Sequence, residues 1–67
     1  MNNLENIKLG DIIVKGNYPP LTVEYLQNGL LYACTRDKNG NVAFGLSQGV
    51  MPIKILNDIG WEIKQKK

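Results

Sequence analysis

The chain has 67 residues, 43% hydrophobic and 21% charged, which is the size and composition of one globular domain. No apolar run approaches the ~20 residues of a membrane span. A net charge of +2 is too small for a dedicated strong DNA binder and far from the acidic balance of a DNA mimic. A domain this small buries only ~60% of the surface its unfolded chain exposes. Cys34 is the single cysteine and there is no histidine, so neither an internal disulfide nor a zinc site can supply extra stability. A well-packed core or a partner subunit must do so, which keeps a homo-oligomer open.

In chain order, residues 1–6 read as a flexible polar lead. Without a basic stretch followed by an apolar core they are not a signal peptide, and one unpaired cysteine suits a reducing cytoplasm. A first strand lies within Ile7 to Gly16, opened by Gly10-Asp11 and closed by Gly16-Asn17. Its consecutive Ile12, Ile13 and Val14 do not alternate, as in a strand covered on both faces. Asn17-Tyr18-Pro19-Pro20 follows, a loop that its prolines stiffen.

Two turn signals then organise the middle of the chain. Asn28-Gly29 between β-rich runs favours a two-residue type I′ turn, because both central residues need positive φ. That turn pairs Gln27 with Leu30, Tyr25 with Tyr32 and Val23 with Cys34. At Asp37-Lys38-Asn39-Gly40 two registers are open, and the hydrophobic pattern selects the one with Lys38, Asn39 and Gly40 as the loop. Asp37 then pairs with Asn41, Cys34 with Phe44 and Tyr32 with Leu46. Strict alternation puts Val23, Tyr25, Leu30, Tyr32, Cys34, Phe44 and Leu46 inward. It leaves Thr22, Glu24, Leu26, Leu31, Ala33 and Thr35 on a mixed second face, covered by the chain ends or open to a partner.

Gly45 inside a strand marks a bend or bulge, and Pro52 ends pairing and can open a helix. Residues 53–59 read as helix or strand. The i, i+1, i+4 spacing of Ile55, Leu56 and Ile59, with Gly60 placed for a left-handed C-cap, favours one or two helical turns. Trp61 to Lys64 alternates as a terminal strand with Trp61 and Ile63 inward, and residues 65–67 form a basic tail. The expected fold is mostly β: a small SH3-like barrel or curled antiparallel sheet of about five strands, with one short helix near residues 53–59, in a single domain over 7–64.

The opening Ile7-Lys8-Leu9-Gly10-Asp11-Ile12-Ile13-Val14 and the closing segment from Met51-Pro52-Ile53 to Gly60-Trp61 resemble those of small uncharacterised phage and mobile-element proteins. Where that group has a second proline and a Thr-Glu helix start, this chain has Lys54 and Ile55. Gly10-Asp11 through Leu21-Thr22-Val23 is also similar to SH3-like domains of unknown function. The resemblance implies a phage or mobile-element setting and a β-rich module; neither group lends catalytic residues.

The residues themselves argue against catalysis. The commonest general base is missing, no two of the six acidic residues are spaced to force carboxylates together, and Gly45-Leu46-Ser47-Gln48-Gly49 lacks the ending of a phosphate loop. No cofactor is expected. A non-enzymatic binding module remains: an accessory or inhibitor with a protein partner, acting through Tyr18, Pro19, Pro20, Leu26 and Leu31. The alternative is weak nucleic-acid binding by a small barrel, with Lys8, Lys15, Arg36, Lys38, Lys64, Lys66 and Lys67 on phosphates and Tyr18 or Tyr25 stacking on bases. Trp61 reads as a core plug.

Overall fold

Asn28 and Gly29 both adopt positive φ, 54° and 77°, which is the backbone of a type I′ turn. In the computed structural model, which describes residue 4 and residues 6–64, this turn joins strand β2 (Leu21–Gln27) to β3 (Leu30–Arg36). β1 (Ile12–Val14) precedes them. β4 (Val42–Gly45), β5 (Met51–Pro52), helix α1 (Ile53–Asp58) and β6 (Glu62–Ile63) follow. All pairings are antiparallel. The sheet order is β4-β3-β2-β1-β6, with β5 pairing the turn-proximal end of β3. The two ends do not pair with each other, so the fold is a small curled sheet and not a closed barrel.

The expected turns form, but the strands leaving them do not keep strict alternation. Gln27 pairs with Leu30 and Tyr25 with Tyr32, as the two-residue loop demands; the register then shifts across Glu24, so Val23 meets Ala33 and Thr22 meets Cys34. At the second turn Asp37 N–H donates to Asn41 O (2.8 Å), the expected closure. A second shift, at Ala43, then sets Thr35 against Phe44 and Cys34 against Gly45. Each bulge inserts one extra residue and switches which side chains face in.

The expected inward set holds in part: Val23 and Leu46 are buried in the core, whereas Tyr25, Leu30 and Phe44 are exposed. Leu21, Val23, Leu31 and Ala33 are buried in the core, with Leu26 packed against it. Tyr25, Tyr32 and Cys34 belong to the other face, and Phe44 is exposed. The physical cause is the apolar spacing in β2. Leu21, Val23 and Leu26 are two and then three apart, and only a bulge lets all three face one side.

The face of Leu26, Leu31 and Ala33 is covered by segments near the chain ends, as expected, with Leu4, Leu56 and Trp61 in the same core; the opposite face carries a polar pair. Glu24, the extra residue of the first bulge, accepts from Arg36 Nε and Nη2 at 2.9 Å each. Arg36 Nη1 donates to Gly40 O at 2.7 Å, which ties the second turn to β2. Cys34 lies buried beside this pair.

The ends of the domain behave differently from one another. Leu4 is fully buried, and its N–H donates to Asn57 Oδ1 at 3.2 Å. The reading of residues 1–6 as a flexible lead is corrected at Leu4; residues 1–3 and 5, like the tail 65–67, lie outside the described residues. α1 forms where the helical spacing placed it and buries Leu56. It ends with Gly60 at φ 109°, Gly60 N–H to Asn57 O and Trp61 N–H to Leu56 O, the left-handed C-cap expected there. Trp61 is thereby turned into the core.

Candidate protein-binding groove

The chain leaving β1 turns at Gly16 and runs through Tyr18 and Pro19 over the ring of Trp61. The Tyr18 and Trp61 centroids are 5.9 Å apart with the planes tilted by 35°. Lys15 Nζ lies 5.0 Å from the Tyr18 centroid on the same stack. The loop opens on a turn in which Tyr18 N–H donates to Lys15 O at 2.9 Å, and the preference of X-Pro for extended backbone then carries the chain on towards β2. Pro20 hands the chain to β2, and its carbonyl accepts from the Thr35 hydroxyl.

Facing this stack is the far end of the sheet. Phe44 of β4 sits opposite Thr35, on the side of Leu31 and Ala33, because the Ala43 bulge turned it there. Between Phe44 on one side and Tyr18, Trp61 and Ile59 on the other runs a groove of about 380 Å³, floored by Leu21, Leu46, Met51 and Leu56. Phe44 is 54% exposed and Tyr18 60%, while Trp61 is only 6%. Trp61 is thus wall and core plug at once, and Phe44 and Tyr18 are the aromatic lips. A groove of this size with aromatic walls and few charges has the character of a binding site for an apolar group.

Of the partner residues expected from sequence, Tyr18 and Pro19 line the groove. Pro20 is exposed but lies outside it. Leu26 is half-buried and packs on the core. Leu31 is 0% exposed, so its assignment to a contact surface is corrected: the Glu24 bulge brings Leu21 and Val23 onto its face, and Leu4, Leu56 and Trp61 complete the core there. Phe44, Met51 and Ile59 line the groove without a signal in the sequence that marks them as binding residues. Strict alternation through Ala43 assigns Phe44 to the core, and the bulge there overturns it.

The basic residues do not converge. Lys8 is exposed at a turn where its N–H donates to Asp11 Oδ2, Lys38 lies in the β3–β4 turn, and Lys64 follows β6. Arg36 is held by Glu24. Lys15 alone of them lines the groove. Lys66 and Lys67 lie outside the described residues.

The Arg36 guanidinium lowers the Glu24 pKa, chiefly through its hydrogen bonds. Burial pushes the Cys34 thiol up, with Glu24 adding to the shift, so it stays protonated and unreactive at neutral pH. Burial likewise raises the Tyr32 hydroxyl. Among the described residues no group of His, Cys, Asp or Glu is arranged to hold a metal ion. No helix among them is long and apolar enough to cross a membrane.

These features define a class: a small curled antiparallel sheet with an aromatic groove where its two ends approach. No protein-family model, curated protein or solved structure matches the chain.

Proposed function

We propose that the protein is a non-enzymatic binding module that acts through protein–protein contacts made at the aromatic groove. The observation that carries this reading is the exposure of Phe44 and Tyr18 on either side of an open apolar cavity. Solvated aromatics of this kind are the anchors that dominate protein interfaces. The resemblance of the Ile7–Val14 and Met51–Trp61 segments to small phage and mobile-element proteins supports an accessory or inhibitor role in the cytoplasm.

Capture from host-type lysate, treated with nuclease, tests the proposal. The wild type is expected to retain a stoichiometric protein band that Phe44→Asp and Tyr18→Ala lose while melting as the wild type does. Capture unchanged in a folded Phe44→Asp variant would remove the groove as the site.

One observation favours a second reading, weak nucleic-acid binding. Tyr18 is exposed next to Lys15, an aromatic and a cation side by side. Binding of a single-stranded oligonucleotide that falls steeply with salt and is lost in Lys15→Gln would establish it. A salt-insensitive signal, or none at low salt, would end it.

A further inference from the structure

The two ends of one sheet meet at the groove. β4 closes one end of the strand order and β6 the other, yet Phe44 and Gly45 of β4 line the same cavity as Lys15 and Trp61, which flank β1 and β6. Among the described residues β4 has β3 as its sole strand neighbour, and all four residues of β4 are exposed. Leu46 N–H donates to Ala33 O at 3.3 Å. Bonded and unbonded pairs alternate along antiparallel strands, so Gly45, opposite Cys34, turns its own N–H and carbonyl outward. Gly45 has no side chain to screen them. A bare edge of this kind is a template for another strand.

Charge narrows the occupant. Among the described residues Lys15 is the one charged residue lining the groove. Among the described residues the ion pair is Arg36–Glu24, and no carboxylate lies within pairing distance of Lys15. A basic segment would meet Lys15 unfavourably, and a second copy of a chain of net charge +2 has no charge complementarity to offer.

We infer that the groove and the outer edge of β4 together take an extended acidic segment of a partner protein. Its backbone pairs with β4 beside Gly45, one apolar side chain enters the cavity between Phe44 and Trp61, and a carboxylate meets Lys15. The inference rests on the groove being the binding site.

The test is an amide NMR titration of the full chain with two capped pentapeptides, Glu-Val-Phe-Val-Glu and Lys-Val-Phe-Val-Lys. The acidic peptide is expected to shift the Phe44 and Gly45 amides and the Trp61 indole, and to bind several-fold more tightly than the basic one. Lys15→Glu should reverse that order, and methylating the amide nitrogen of the peptide's Phe should abolish binding. Equal affinities, a preference that Lys15→Glu leaves unchanged, shifts that spare β4, or no binding of either peptide would each overturn the inference. Whether the groove binds a partner at all is decided separately, by the loss of capture in Phe44→Asp.

Discussion

The Tyr32 hydroxyl occupies the space that a side chain on Gly45 would need: a Cβ there would lie 2.7 Å from the oxygen and 3.3 Å from Cys34 Cβ. The two residues sit on adjacent strands of the second face, and the missing side chain is what lets the half-buried Tyr32 lie over Cys34. Gly45→Ala must push the ring aside and should lower stability by about 1–3 kcal/mol, the usual cost of overpacking. Tyr32→Phe removes the oxygen and leaves the next ring atom at 3.5 Å, an ordinary contact. In urea melts the double variant should therefore be more stable than the sum of the single effects predicts. Strict additivity would show that the clash is not what excludes a side chain at 45.

Trp61 closes the core beneath Tyr18, and its indole is nearly all buried. Truncation to alanine should cost about 3–5 kcal/mol. A domain of 67 residues has roughly 3–10 kcal/mol to lose in total, so Trp61→Ala should be largely unfolded at 25 °C. Far-UV circular dichroism gives the answer. A cooperative melt with the wild-type midpoint would contradict the core-plug role.

Leu31 and Leu4 are both fully buried, one in the central strand and one well before the first. Each should lose about 2–5 kcal/mol on change to alanine. The informative comparison is Leu4→Ala against Leu9→Ala, since Leu9 is an exposed neighbour in sequence. If Leu4→Ala were as mild as Leu9→Ala, the Leu4–Asn57 docking would not hold in solution.

The Glu24–Arg36 pair makes stability depend on acid. Glu24 titrates below its ordinary value of 4.5 in the folded protein, first because Arg36 hydrogen-bonds its ionised form. A depressed carboxylate pKa stabilises the fold above the unfolded value, and that contribution fades as pH falls from about 4.5 through the lower folded value. The melting temperature of the wild type should thus fall towards that of Glu24→Gln between neutral pH and pH ~3. Parallel curves over this range would show that the pair contributes nothing, as many exposed pairs do.

What the sequence determined was local. Asn28-Gly29 and Asp37 to Gly40 specify their turns because positive φ and an Asp-led loop are properties of a few adjacent residues. The α1 spacing and Gly60 mark a helix and its end for the same reason. The mostly β class followed from these.

The tertiary structure decided which face of each strand is inside. A single extra residue, Glu24 in β2 or Ala43 in β4, inverts every side chain beyond it, and the first of these is held across strands by the Glu24–Arg36 pair. The Leu21, Val23, Leu26 spacing carries a trace of the first bulge, but it is outweighed by the alternation that the turn imposes on its immediate neighbours. Phe44 became a groove residue, Leu31 a core residue and Leu4 a docked one only when the curled sheet brought its two ends together, since burial depends on what lies across the fold and not on what lies next in the chain.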